Sequence, residues 1–524
     1  MSDLLTKEDI KNILSNRFKD DKYTTLSSLP SPYLFKDIKK ATKRVIKAIE
    51  QNEKITIVGD YDVDGVISSF IISDFLERFV SNVEVIIPNR FSDGYGVSKD
   101  IIDRIDSKLV ITVDNGISAI EAAEACKTKG IDLIITDHHS VPSKIPEAFA
   151  IIDPKQKDCN FPFKEICGAQ VAWYFAAAIK NEMKIEFNLL EYIDLLSIAI
   201  IADMMELREF NRVLVKRGLK ELNFSKRAAM QAIKEQFQKE NFVSEDISYL
   251  LSPLINSAGR LESALKAYKF LKSKSINEAR KYLAEIISLN EKRKEIEREL
   301  FEISANMVKD SDNVIIVWQE GWHEGVIGIV AARLARRYKK PAIVFSINDG
   351  IAKGSARSIA EIDILSLIEA ADEIILKYGG HKGAAGLSIK AENLYKFKDI
   401  LEKKIKTVSK DLFIPKKEIL GEIDPQSIDF ELLDILESFE PYGQTNPKPH
   451  FIIKNATVKK VRFLGKEQNH QKLILESKST ILESIDFNFS KKANVGSKID
   501  TVFTISKNSY RGYVTPQLLI EEII

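Results

Sequence analysis

Three short apolar runs, Ile55-Thr56-Ile57-Val58, Leu109 to Val113 and Leu133 to Thr136, each stop at an acidic cluster. The first leads into Asp60-Tyr61-Asp62-Val63-Asp64-Gly65, the second into Asp114-Asn115-Gly116, and the third into Asp137-His138-His139. Helical spacing occupies Gly65 to Val80 and Ser118 to Lys127, and further strand patterns lie at Val83 to Ile87 and Phe149 to Ile152. Strands alternating with helices fold as a parallel sheet covered by helices. Ligands of such sheets bind in the crevice beyond the carboxyl ends of the strands. The pattern therefore constrains fold and site together, because three strand ends deliver carboxylates and imidazoles to one crevice. A fourth cluster, Ala202-Asp203, closes an apolar helix over Tyr192 to Ala202.

Crowded carboxylates repel one another unless something positive neutralises them. One or two divalent ions would do so. Carboxylate and water ligands suit Mg²⁺ and Mn²⁺, and an added imidazole tilts the choice toward Mn²⁺. Alone, Asp-x-Asp reads as a turn or a helix N-cap, and Asp-Asn-Gly as a turn. Their repetition after strands sets these clusters apart, as does the placing of two of the chain's six histidines at one of them.

The 524 residues suffice for two to four domains, and 44% apolar content supports sizeable cores. No apolar run reaches the ~18 residues of a membrane span, and the polar start, Met1 to Lys22, is unlike a signal peptide. Three irregularly spaced cysteines suit neither a zinc site nor a disulfide framework. A soluble, cytoplasmic protein with no membrane association is expected. The net charge of +1 decides nothing about nucleic acid; its distribution is more informative, although clustered lysines taken alone also read as a solubilising surface. Pro441 to Ile520 carries 13 Lys and Arg against 5 Asp and Glu, a basic segment attached to an acidic site.

From Gly168 to Leu251 the pattern turns mostly helical. Arg260 to Glu320 holds no Gly or Pro, and Ile276 to Val308 reads as one helix of about 50 Å. Its almost wholly charged middle, Asn290 to Arg298, predicts a solvated, rigid connector. A second α/β unit follows, with strands at Val314 to Val317 and Ala342 to Ser346 and a helix at Gly325 to Tyr338. Gly379 to Gly386 reads as a loop of small residues whose amides approach phosphate. Five short strands, Phe451 to Val458, Gln471 to Leu475, Ser484 to Phe489, Thr501 to Ile505 and Gln517 to Ile520, suit a small OB-type barrel. Phe463, Phe487, Phe503, Tyr510 and Tyr513 lie among its basic residues, which suits base stacking with phosphate contact, although half or more of them are expected in the barrel core.

The sequence resembles a known family. Val58 to Gly65, Asp114-Asn115-Gly116, Asp137-His138-His139 and Ala202-Asp203 are similar to the four motifs of the DHH phosphoesterase superfamily, and Gly379 to Gly386 to the GGHxxAAG motif of its DHHA1 domain. Arg90 to Gly96, Ile255 to Leu261, Gly321 to Val330, Gly354 to Ser358 and Phe439 to Gly443 resemble one branch, the bacterial RecJ-type single-stranded-DNA-specific exonucleases. The resemblance implies an N-terminal segment (1–50), a parallel-sheet DHH domain with a helical extension (51–275), a connector helix (276–310), an α/β DHHA1 domain (311–410) and a C-terminal OB-type barrel (411–524). Some members carry a further C-terminal domain, whereas the barrel pattern here runs to Ile520 and the sequence to Ile524.

By position, the resemblance makes Asp62 and Asp114 ligands of one ion, and Asp64, Asp114, His138 and Asp203 ligands of a second, with Asp114 bridging two Mn²⁺ or Mg²⁺ ions. Val58 stands where many members have a histidine, so one ion would lean more on water. Asp60 and His139 are implied as catalytic groups; His139 lies beside the scissile phosphate or holds His138 or a carboxylate by a hydrogen bond. Arg90, Arg260, Ser355, Arg357 and His381 are implied to bind the terminal or the scissile phosphate. Two ions about 3.5–4 Å apart would activate water for in-line attack. The activity implied is 5′-to-3′ degradation of single-stranded DNA to 5′-mononucleotides, in repair and recombination. Rival readings are a phosphodiesterase for short oligonucleotides or cyclic dinucleotides, and an inactive DNA-binding scaffold. Implied partners are single-stranded DNA, a single-strand binding protein and a RecQ-type helicase, with the protein itself a monomer.

Overall fold

All five strands of the first sheet run parallel, in the order β2-β1-β3-β4-β5, with β1 at Ile55–Val58, β2 at Val83–Ile86, β3 at Leu109–Val113, β4 at Asp132–Thr136 and β5 at Ala150–Ile152. The structure is a computed structural model. It describes residues 4–414, 418–465, 468–489, 491–510 and 513–524, without the side chains of Ser509, Tyr510 and Tyr513. Strands β1 and β3 are buried at every position, as befits a sheet covered on both faces. The Val63–Leu76 helix is apolar nearly all round and packs against the Gly168–Met183 and Ile193–Ala202 helices. The chain leaves β1 for β2 on one side and then crosses to β3 on the other. That reversal opens a crevice between β1 and β3, at their carboxyl ends.

One helix of 32 residues, Ile276–Met307, leads out of this domain. Its Leu283, Ile286 and Leu289 belong to the first core, and its Leu300 and Phe301 to the next. Glu291, Lys292, Lys294, Glu295 and Arg298 of its charged middle are exposed as expected, but Asn290 and Arg293 are buried, because the helix is held between the Ser252–Leu261 and Glu324–Tyr338 helices.

The second sheet has the order β6-β7-β8-β10-β9, with β6 at Ile315–Glu320, β7 at Ala342–Asn348, β8 at Ile351–Arg357, β9 at Ile375–His381 and β10 at Ala384–Lys390. Gly379 to Gly386 is therefore not a loop. It forms the end of a hairpin, with Gly386 paired to Gly379 on one side and to Ser355 on the other. Its small residues keep one face of the sheet low rather than exposing turn amides.

In the third sheet β12 (His450–Leu464), β13 (His470–Ser477), β14 (Thr480–Asp486), β15 (Lys498–Tyr510) and β16 (Tyr513–Ile523) close into a barrel through the pairing of β12 with β15. The strands run longer than the sequence pattern suggested, and β11 (Ile419–Glu422) adds a sixth, parallel to β12. Residues 1–50 are not one unit. Ile10 and Leu14, on the Lys7–Asn16 helix, are fully buried in the barrel core beside Phe451 and Phe503. Lys7 pairs with Asp429 and Glu431, and Leu5 bridges to Ile423. The chain then passes to the first domain, where Asp21 accepts from Arg208, and its Ile38–Glu50 helix joins the first core. Among the described residues no helix is long and apolar enough to cross a membrane.

Candidate metal centre and anion pocket

Thr112 and Asn115 shape the turn after β3. The Thr112 hydroxyl donates to the Asn115 carbonyl, and Asn115 Nδ2 donates to the carbonyls of Val58 and Val113, tying β1 to β3. Asp114 takes φ 63° and Gly116 φ 118°, so the chain reverses at once and leaves Asp114 in the crevice. Gly168 must be glycine, since a Cβ there would lie 2.5 Å from Asp114 Oδ1. Asp62 caps the Val63–Leu76 helix, accepting from the Gly65 amide at 3.0 Å. Asp64 accepts from the amides of Gly168 and Ala169, at the start of the Gly168–Met183 helix, at 2.6 and 2.8 Å. Asp203 ends the Ile193–Ala202 helix. Val58 is fully buried in β1 and offers no ligand.

His138 Nε2 lies 3.1 Å from Asp114, 3.5 Å from Asp203 and 3.7 Å from Asp64. Three groups of possible ligand atoms result: Asp60, Asp62 and Asp114; Asp64, His138 and Asp203; and Asp114, His138 and His139. Asp114 belongs to two of them. Burial, then the neighbouring carboxylates, holds Asp60, Asp114 and Asp203 well above the usual range and pushes Asp64 up to about 6. Burial takes His138 down to about 3. Asp60 Oδ1, Asp114 Oδ1 and Asp203 Oδ2 are buried with no hydrogen-bond donor. Buried polar atoms are ordinarily satisfied. An oxygen-rich set with one neutral imidazole and these orphaned oxygens fits divalent cations such as Mg²⁺ or Mn²⁺.

Asp137 does not join these groups. It accepts from the amides of Ile117, His138 and His139, and from His139 Nδ1 at 2.7 Å. Burial opposes the charge on His139, but this bond together with the charges of Asp137, Asp203 and Asp60 outweighs it and lifts the imidazole to about 9. His139 Nε2 then faces the Tyr95 hydroxyl at 3.3 Å. Sequence reasoning left Asp137 and Tyr95 without a role; their positions within the Asp-His-His and Arg90-to-Gly96 stretches were the available signal.

Arginines gather beside the carboxylates. Arg90 lies 4.1 Å from the Tyr61 ring centroid, and its Nε is buried without a partner. Arg260 donates to the Gly325 carbonyl at 3.2 Å, and Arg357 to Ser355 Oγ at 3.2 Å. Burial, followed by the charges of Arg90, Arg357 and Arg293, lowers Arg260 to about 10. Among the described residues none of Arg90, Arg260 and Arg357 makes an ion pair. The Ile255-to-Leu261 stretch explains itself here: Asn256 accepts from the Val63 amide, Gly259 packs against the Tyr61 carbonyl, and Arg260 reaches the seam between domains. His381 stays apart; it is exposed on β9 and separated from Arg357 by Ala384 of β10. Past Tyr95, a groove of about 530 Å³ runs between Asp93–Lys99, Gly116–Ala122 and Lys377 of β9.

On the barrel, Phe463 lies 5.7 Å from Phe489 with Lys492 over its ring, and exposed Phe487 meets His470. Phe503 is core, contrary to a stacking role, because its side of β15 faces the barrel interior. The side chains of Tyr510 and Tyr513 lie outside the described residues.

Residues 54–200 match the DHH family, N-terminal domain; residues 311–407 the DHHA1 domain; and residues 419–522 the RecJ OB domain. The chain is 31% identical over 537 residues to the single-stranded-DNA-specific exonuclease RecJ of Haemophilus influenzae, covering 95% of this chain and 92% of that one. The chain belongs to the RecJ family. It is 34% identical to the RecJ of Bacillus subtilis over 94% of its own length, and spans 64% of that relative. A crystal structure of RecJ with Mn²⁺ from Thermus thermophilus superposes with a TM-score of 0.86 at 25% identity, over 99% of this chain and 75% of that one. Other RecJ relatives, from Escherichia coli among them, are covered to 90% of their length.

Proposed function

We propose that this RecJ-family chain is a metal-dependent, single-strand-specific DNA exonuclease that starts at a 5′ end and releases 5′-mononucleotides, in repair and recombination. The observation that carries the reading is the pairing of opposites: orphaned carboxylate oxygens around His138, and unpaired arginines beside them. Asp62 and Asp114 would hold one cation, and Asp64, Asp114, His138 and Asp203 would hold a second. When bound, two divalent ions supply charge neutralisation and a water of lowered pKa. Asp60 shapes the first ligand group. Asp137 fixes His139 in one orientation and keeps it cationic, so Nε2 can donate to a phosphate oxygen.

Arg90, Arg260, Ser355 and Arg357 bind the terminal 5′ phosphate, one nucleotide from the metals, since planar guanidinium forks match phosphate oxygens. His381 and Lys377 border the strand on the low face of the second sheet. The strand runs on to the Phe463–Phe487 end of the barrel, where stacking and lysines hold bases and backbone. The five domains take the boundaries implied by the resemblance, save that the N-terminal helix is counted with the barrel. The protein works in the cytoplasm as a monomer, alongside a single-strand binding protein and a RecQ-type helicase. A strand labelled at its 5′ end, digested with Mn²⁺, should release label first as mononucleotide. Early release of mononucleotide label from a companion strand labelled at its 3′ end, or cleavage only of dinucleotides, overturns the reading.

A further inference from the structure

Two aromatic rings at the arginine pocket have no part in the reading so far. Phe91 follows Arg90, and His323 precedes the Glu324–Tyr338 helix. Their rings meet edge to face, with centroids 5.3 Å apart and planes at 86°. Phe91 belongs to the DHH domain and His323 to the DHHA1 domain, so the contact spans the seam between them.

Both rings are held from behind. Asn89 Oδ1 accepts from the Phe91 amide at 2.9 Å, and Asn89 Nδ2 donates to the carbonyl of Glu262, two residues past Arg260, at 3.0 Å. His323 Nδ1 accepts from the Gly325 amide at 3.2 Å, which caps the helix and orients the ring. The start of that helix lies against the pocket. A Cβ on Gly325 would lie 2.0 Å from the Arg260 carbonyl oxygen, and one on Gly328 3.1 Å from Arg357 Nη2. Arg90 and Phe91 diverge: Arg90 lies over the ring of Tyr61, next to Asp62, whereas Phe91 meets the other domain. From the crevice outward the order is therefore Asp62, Tyr61, Arg90 and then the Phe91–His323 pair.

A contact made only to join two domains would bury its rings, yet Phe91 remains 41% exposed. Such a pair adds about 0.5–1.5 kcal/mol beyond its buried area, a small return for an apolar ring left in water. Its bulk at the end of a cationic pocket has another use. A terminal phosphate ends the strand there. A phosphodiester inside a strand carries a further nucleoside on its far oxygen, and that nucleoside would need the space the two rings fill.

We infer that Phe91 and His323 form an end wall across the domain seam, which stops the strand at its terminal phosphate and so sets the cut one nucleotide in. This rests on the terminal-phosphate reading above and adds to it what keeps internal phosphodiesters out. The wall acts by bulk and needs neither charge nor proton.

The test compares wild type, Phe91→Ala, His323→Ala and Phe91→Leu, with Mn²⁺, on a 5′-phosphorylated strand labelled at its 5′ end and on circular single-stranded DNA. Wild type should release labelled mononucleotide and leave the circles closed. Removing either ring should raise the ratio of dinucleotide to mononucleotide among the first products by roughly 10- to 200-fold, the range over which pocket size discriminates, and should open circles. Phe91→Leu keeps most of the bulk and should stay near the wild-type ratio. The ratio is internal to each reaction, so a general loss of turnover does not imitate the effect. If both alanine variants release only mononucleotide and leave circles closed, the rings merely join the domains and the inference is overturned, even where both proteins melt earlier. Should Phe91→Ala not fold, His323→Ala decides by the same ratio. A wild-type protein that opens circles, or that makes no distinction between 5′-phosphate and 5′-hydroxyl ends, would instead sink the terminal-phosphate reading itself.

Discussion

The carboxylate crevice and the arginine pocket are adjacent, opposite in sign and built in opposite ways. Asp60, Asp62, Asp114 and His138 follow the ends of adjacent strands of one sheet, Asp64 stands in the first turn of the helix after β1, and Asp203 ends a helix packed against that one. Arg90, Arg260 and Arg357 come from a loop, a helix and a strand of two separate domains. Burial first, and like charges second, raise Asp60, Asp64 and Asp114 in one and lower Arg260 and Arg357 in the other. The crevice is rigid and waits for cations. The pocket is assembled across the seam where Arg260 meets Gly325, and it offers its guanidiniums to an anion. Damage to the first should stop chemistry, whereas damage to the second should change which ends are used.

The sharpest way to break that contrast is Asp114→Ala. Losing the carboxylate shared by both ligand groups should cut turnover on the order of 10³-fold or more, since metal stabilisation is worth several kcal/mol. Circular dichroism should show the fold kept; strong residual cleavage in excess Mn²⁺ would dissolve the two-ion assignment. Next, Arg357→Ala and Arg260→Ala should weaken use of 5′-phosphorylated strands by roughly 10- to 100-fold, the worth of a charge-assisted bond. Metal affinity, read by calorimetry, should hold. Equal loss on hydroxyl-ended strands would merge pocket and crevice into one general phosphate contact.

A smaller effect belongs to the barrel. The double change Phe463→Ala with Phe487→Ala should lower affinity for long strands by ~1–3 kcal/mol per stacked base. It should spare very short oligonucleotides, and the log–log salt slope should stay near ~0.7 per phosphate contacted. Loss on both lengths alike would return these aromatics to a structural role.

The least dramatic outcome is a pH trend. Asp64 is raised to about 6 in the metal-free fold against an ordinary 3.8, so the folded state binds the extra proton between those values. Metal-free protein should therefore gain stability from this group as pH falls through about 6, and hold that gain below 3.8. Metal ions reverse the preference by favouring the carboxylate. Their thermal stabilisation should be large at pH 8 and shrink toward pH 5, measured by calorimetry with and without Mn²⁺; a shift that does not vary with pH would remove the crowding argument.

The crevice was legible because strand ends are local in sequence: apolar runs announce β1, β3 and β4, and the acids follow within a few residues. The doubly wound sheet, the long helix and the barrel were legible for the same reason. Asn256 and Gly259 gave no local sign, since their partners at Val63 and Tyr61 are nearly 200 residues away. Arg293 misled, because a charged stretch reads as solvated until a neighbouring helix covers it. The glycines of 379 to 386 misled differently: small residues permit turns, but they also permit a flat strand face. His139 needed Asp137 beside it before its charge could be assigned.

The packing of Ile10 and Leu14 beside Phe451 and Phe503 bears on the order in which the molecule is made. A ribosome adding about 5–20 residues per second needs on the order of a minute to travel between those positions. Until then the Lys7–Asn16 helix has no surface to cover its apolar side, and the first domain can form without it. The barrel closes last, gathering both ends of the synthesis at once. Contacts of such sequence separation form slowly, so a newly made molecule should acquire its metal crevice well before its full grip on a strand.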